Sequence, residues 1–314
     1  MFKELNFLEK LYLKYTDRPA YKLYKWELKN FKKLELGKSL TNSGRLNNIA
    51  KITAYTSVNK KLNLVHSGNA GDIIYALPTI KKLHEVTGVP VNLYFRLHQP
   101  LLIEGYKNHP LGDVMLNEKM AEMLMPLLNK QGYIAECAIY TSQPIDIDLD
   151  YFRAGLVPQD KGNIARWCSY ITGVSPDLWK RWITVEGDTK YAGDIVIARS
   201  GRYNNKLIDY SFLAKYNNVK FLGVADELKA IKEYIPAIEW IQVTDFLQMA
   251  QIIAGSKVFI GNQSFPYSIA EAMKVPRILE LSYEVINVVP EGENGHDFLF
   301  QEHFEWLVED LYKK

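Results

Sequence analysis

The chain has 314 residues, of which 47% are hydrophobic and 24% charged, with a net charge of +2: ordinary globular composition, and enough chain for two cores. No run of 18 apolar residues occurs, so no membrane span is expected, and the charge-broken start MFKELNFLEKLYLKYTDR lacks the apolar stretch of a signal peptide. Two cysteines, Cys137 and Cys168, exclude a disulfide scaffold, and the six histidines (His66, His84, His98, His109, His296, His303) show no metal-ligand spacing, so a cytoplasmic protein with buried thiols and no bound metal is expected.

Residues 1–61 carry 14 Lys/Arg against 5 Asp/Glu, and the remainder 24 against 31. The basic part is also aromatic, with Phe2, Phe7, Tyr12, Tyr15, Tyr21, Tyr24, Trp26 and Phe31. Two readings follow: an arm that grips a nucleic acid by charge and stacking, or an amphipathic arm packed on the body with its lysines in water. Residues 1–35 are predicted helical, and GKSLTNSGRLNN (37–48) a polar loop that closes an arm of residues 1–50.

A first α/β domain is expected over 51–186. Strands are predicted at 62–66, 91–96, 133–140 and 182–185, helices at 72–87, 118–130 and 163–172, and the acidic SQPIDIDLD (142–150) as an extended connection. From residue 194 the alternation is regular. Five strands (195–199, 219–223, 238–243, 258–261, 277–281) alternate with helices at 210–216, 226–234, 245–255 and 264–274, which is a doubly wound domain over 187–295. A final helical segment, 296–314, is placed to lean back on the first domain.

The same punctuation occurs once in each half. LNLVHSGNAGDIIYALPTIKKL (62–83) and KVFIGNQSFPYSIAEAMKVPRILEL (257–281) each run from an apolar strand through a Gly/Asn turn into an apolar-periodic helix and a further strand. Such turns lie at the carboxyl edge of a parallel sheet, and two of them suggest two Rossmann-type domains facing a nucleotide-binding cleft.

In the first turn, Gly68, Asn69 and Gly71 allow close backbone approach. Asp72 opens the helix either as a cap or as a general base that takes a proton from an acceptor hydroxyl. In the second turn, Gly261, Asn262, Gln263, Ser264 and Phe265 precede a helix whose first N–H groups, those of Ser264 and Phe265, suit a diphosphate. Glu271 and Glu280 are candidates for sugar or ribose hydroxyls, Glu271 equally for a solvated helix position. Between the turns, the strand 195–198 runs into Arg199, Arg202 and Lys206, cations suited to a leaving diphosphate or to an ordinary surface loop.

Together GNAGDIIYALPTIKKL, IARSGRYNNK and TDFLQMAQIIAGSKVFIGNQSFPYSIAEAMKVPRILEL resemble the ADP-heptose:lipopolysaccharide heptosyltransferases, GT-B-fold glycosyltransferases, over residues 62–90 and 194–282. The resemblance implies a nucleotide-sugar donor on the second domain, a glycan or other hydroxyl acceptor on the first with Asp72 as base, inversion at the anomeric carbon, and no metal or other cofactor. Gln263 stands where the family has Asp, Phe265 where it has Gly, and Tyr267-Ser268 where it has His. These positions meet the donor sugar in the family, so a sugar other than heptose is expected and the acceptor is open. The Asp-x-Asp run Asp146-x-Asp148, which extends to Asp150, offers a metal alternative. Other readings are a non-catalytic nucleotide-sugar-binding module, transfer to a modified base in DNA through the basic arm, and a dinucleotide oxidoreductase, for which neither turn has Gly-x-Gly-x-x-Gly.

Overall fold

The computed structural model describes residues 2–42, 44–101 and 114–314; His109 lies outside them. Two parallel sheets form the body. The first has the order β3-β2-β1-β4, with β1 at Leu62–His66, β2 at Val91–Phe95, β3 at Ile134–Ile139 and β4 at Ile147–Asp148. The second has the order β10-β9-β8-β5-β6-β7, built from β5 (Ile195–Ala198), β6 (Val219–Leu222), β7 (Glu239–Ile241), β8 (Val258–Asn262), β9 (Arg277–Glu280) and β10 (Gly295–Phe298). All ladders are parallel.

Both sheets share one plan. The first strand of each lies between its second and fourth, so the chain winds outward in one direction and then reverses. The reversal leaves a crevice at the carboxyl ends of β1/β4 and of β5/β8, the positions where doubly wound sheets take ligands. β1, β5 and β8 are buried throughout, as strands covered on both faces must be.

The helices are α1 (Phe7–Thr16), α2 (Arg18–Asn42), α3 (Ile49–Asn59), α4 (Ala70–Thr87), α5 (Glu118–Leu128), α6 (Trp167–Thr172), α7 (Ala225–Lys232), α8 (Phe246–Gly255), α9 (Phe265–Met273) and α10 (Gln301–Lys313). α4 packs on α9 and α5 on α8, and one apolar cluster runs through both halves, from Leu64, Ile73, Leu77 and Leu124 to Ala250, Ile253, Phe259 and Ile269.

Several expectations are corrected. The polar loop over 37–48 is helical as far as Asn42. α3, for which no element was expected, follows the loop and is capped by the Asn48 side chain. The segment 182–185 joins no sheet; the Trp182 and Ile183 N–H groups instead donate to the Ala272 carbonyl at the end of α9. The acidic segment supplies β4, and a further strand, β10, is too short and polar for its pattern to show. α10 does not lean on the first domain: Phe304, Leu307, Val308 and Leu311 pack with Ile195, Val258 and Phe298 of the second sheet.

Candidate active site

The first turn leaves β1 at His66 and enters α4, whose first turn is held by the Asp72 carboxylate. Asp72 Oδ2 accepts from the Asn69 N–H at 3.2 Å, so the capping role is real. The same oxygen accepts from Arg153 Nη2 at 2.6 Å, while Arg153 Nη1 donates to Asp150 Oδ1 at 2.6 Å. Asp150 also accepts from the Ser67 N–H at 3.1 Å. Arg96, just past β2, places both terminal nitrogens 3.0 Å from Asp148 Oδ2 and lies 3.4 Å from Asp150.

A relay of alternating charge therefore crosses the carboxyl ends of β2, β1 and β4: Asp148, Arg96, Asp150, Arg153, Asp72. β4 creates it, because pairing Val65 with Asp148 brings the acidic segment beside the first turn, and a 3-10 turn over Leu149–Ala154 presents Asp150 and Arg153 on it. Arg96 and Arg153 were not among the residues singled out from sequence, and Asp148 and Asp150 stood there only as a metal alternative. A cation closing a predicted strand was the signal for Arg96; Arg153 had none. Asp146 bonds Tyr55 and the Asn63 N–H and Asp148 bonds Arg96, so both carboxylates of the Asp-x-Asp have internal partners, and the described residues hold no cluster of three or more metal-ligating side chains.

Beneath the relay, His66 is fully buried. Its Nδ1 accepts from the Gly68 N–H at 2.9 Å, and its Nε2 has no partner. Burial, reinforced by the Arg153 charge, pushes its pKa down to about 3, so the ring is neutral. Gly68 sits where no side chain fits: a Cβ would stand 2.4 Å from Arg153 Nη2 and 2.7 Å from Asp72 Oδ2.

The second turn leaves β8 at Asn262. Its buried amide accepts from the Ser200 N–H and donates to the Ser200 and Arg202 carbonyls and to Asn204 Oδ1, shaping the loop that follows β5. Gly261 is packed so closely that a Cβ would lie 3.1 Å from the Ala198 carbonyl oxygen. The Ser264 N–H donates to the Asn262 carbonyl at 2.6 Å and Pro266 carries none, so Ser264 does not offer the free amide expected of it. Gln263 donates to Asn287, which donates to the Gln159 carbonyl, a link between the two halves.

The remaining expected donor residues separate into two groups. Arg199 is paired with Glu280, Nε to Oε2 at 2.7 Å and Nη2 to Oε1 at 2.8 Å, and lies over the Tyr210 ring. Glu280 also accepts from the Tyr210 hydroxyl and the Asn205 N–H. Glu271 is buried, bonded by Arg277 at 2.5 Å and by Lys274. Arg199, Glu280 and Glu271 thus hold the second domain together from inside. Arg202 and Lys206 lie on the loop beyond, Lys206 in solvent.

The two turns meet. A Cβ on Gly71 would lie 3.8 Å from the Phe265 Cα and 3.9 Å from Ser268 Oγ. The starts of α4 and α9 are in contact distance, closer than two walls of an open cleft.

No family model and no curated protein matches the chain. Its fold is similar to that of several solved structures. A glycosyl transferase family 9 protein from Veillonella parvula superposes with a TM-score of 0.50 at 10% identity, covering 81% of this chain and 89% of that one. The E. coli heptosyltransferase WaaC with ADP gives 0.50 at 10% identity over 81% and 98%. The E. coli ADP-heptose lps heptosyltransferase II gives 0.54 at 11% identity over the same shares. The GT-B architecture of two Rossmann-type domains is thereby shared.

Proposed function

We propose that this chain is a glycosyltransferase that moves a sugar from a nucleotide-sugar to an acceptor hydroxyl, with inversion and without a metal. The observation that carries the reading is the contact between Gly71 and Phe265, which brings the switch-point turns of the two sheets together with Asp72 on one side and the open amide of α9 on the other. A neighbour of the same fold is a heptosyltransferase with ADP, which supports a nucleoside diphosphate as the donor's handle.

In this reading Asp72 is the base. Its contacts to Asn69 and Arg153 both fall on Oδ2, so the carboxylate is oriented through one oxygen while Oδ1 meets the acceptor hydroxyl. The acceptor oxygen attacks the anomeric carbon from the face opposite the diphosphate, its proton passes to Asp72, and the bond to the leaving phosphate oxygen breaks. The negative charge that develops there meets the Phe265 N–H, a fixed donor that needs no reorganisation, and the cationic side chains of Arg202 and Lys206. Arg199 and Glu271 act only by holding the loop and helix that carry these groups.

A second reading has its own observation: Arg153 at 2.6 Å makes Asp72 part of a structural clamp, as suits a module that binds nucleotide-sugars without turnover. Screening the protein against a panel of nucleotide-sugars for thermal stabilisation and for release of nucleoside diphosphate tests both. Stabilisation with release supports the transferase, stabilisation alone the binding module, and neither overturns the nucleotide site.

A further inference from the structure

α1 is an amphipathic helix turned outward. At 100° per residue, Phe7, Leu8, Leu11, Tyr12 and Tyr15 fill an unbroken arc of about 140°. That arc faces solvent: Phe7 is 74% exposed, Leu8 72%, Tyr12 71% and Tyr15 76%. No residue of α1 is buried. The helix is nevertheless preformed, with the Asn6–Glu9 capping box at its start and α2 behind it, where the Tyr24 hydroxyl accepts from the Leu5 N–H and Phe2 stacks on Tyr24 and Phe31. α2 adds exposed Leu23, Trp26 and Leu34. Beside them Lys25, Lys29, Lys32 and Lys33 line a groove of about 400 Å³ over Leu28 and Leu36.

We infer that the α1–α2 hairpin docks this protein on an anionic phospholipid surface, with the apolar arc of α1 among the acyl chains and the lysines of α2 among the headgroups. Charge selects this occupant. Residues 1–42 carry 10 Lys/Arg against 5 Asp/Glu, so two copies joined through their hairpins would bring like charge together. Nucleic acid satisfies the lysines but gives Phe7, Leu8 and Leu11 nothing apolar to enter. An anionic bilayer satisfies both, through interfacial burial of an apolar helix face flanked by cations. Among the described residues no helix is long and apolar enough to cross a membrane, so the contact is with the surface.

The test is co-sedimentation of the full chain with phosphatidylcholine vesicles and with vesicles that also contain phosphatidylglycerol. Binding is expected to the anionic vesicles and to weaken with added salt. Leu8→Glu with Tyr12→Glu, at exposed positions that leave the fold intact, is expected to reduce it by more than about tenfold. Lys29→Glu with Lys33→Glu is expected to abolish the preference for anionic lipid; circular dichroism and melting temperature confirm that both variants are folded. Absence of vesicle binding overturns the inference. So does a dimer in light scattering, or duplex DNA binding, that the Leu8/Tyr12 variant abolishes while vesicle binding is unchanged.

Discussion

Arg153 Nη2 lies 2.6 Å from Asp72 Oδ2, although 81 residues separate the two. The pair decides how the first turn behaves: the carboxylate that caps α4 is also the end of a relay running back through Asp150 to Arg96. Three tests address that turn, and a fourth separates the basic residues of the second domain.

Asp72→Asn keeps the shape and the acceptor for the Asn69 N–H but cannot take a proton. Turnover is expected to fall by about 10²–10⁴-fold with donor affinity near wild type. Full turnover by a folded variant that binds donor would remove Asp72 from the chemistry and leave it as a cap.

Gly68→Ala is expected to be disruptive despite adding one methyl group, because that methyl would stand 2.4 Å from Arg153 Nη2. Arg153 has to give way, and Asp72 and Asp150 lose their shared cation. A loss of about 1–3 kcal/mol is expected in chemical denaturation, as for partly buried groups left unpaired. Arg153→Ala should match it, and the double variant should be less than additive. Additive losses would mean that the two positions act separately.

His66 sets an acid limit. The unfolded chain takes up a proton near the ordinary value of 6.5, the folded chain only near 3, so the neutral buried ring contributes fully above about pH 6.5. As pH falls from there toward 3, that contribution is lost at about 1.4 kcal/mol per pH unit. His66→Asn keeps an acceptor for the Gly68 N–H and cannot be protonated, so its stability should be flatter than wild type across this window. Parallel pH profiles for the two proteins would refute the assignment.

Arg199→Ala and Lys206→Ala should fail differently. Removing Arg199 leaves Glu280 buried without its counter-ion, which costs about 3–5 kcal/mol of stability. Lys206→Ala should leave the melting temperature unchanged and weaken nucleoside diphosphate binding by about 1.5–3 kcal/mol, the worth of a charge-assisted hydrogen bond. A melting temperature that drops for Lys206→Ala and not for Arg199→Ala would reverse these assignments.

The frame of the site was legible in the sequence because its pieces are local. A buried strand, a Gly/Asn turn and an apolar-periodic helix lie within some twenty residues at 62–83 and again at 257–281, and all five strands expected in the second half are present. The partners were not legible, because pairing across the sheet is not local. Arg199 at the end of an apolar strand looks the same whether it faces a phosphate or Glu280 on β9. Arg153 lies in an aperiodic stretch, and only the two-residue pairing of β4 with β1 carries it to Asp72. Glu271 fits a helix face in the sequence; Arg277, six residues on, draws it inward.

The apolar cluster that passes from α4 and α5 into α8 and α9 leaves the two halves no separate folding energetics. Pulling them apart would wet Ile73, Leu77, Ala250 and Ile269 together, so neither half is expected to melt alone. Calorimetry should record one transition whose van't Hoff and calorimetric enthalpies agree, despite two sheets. Ligand exchange in such a molecule is expected to proceed by movement of the loops after β5 and β8 and not by rotation of one half against the other.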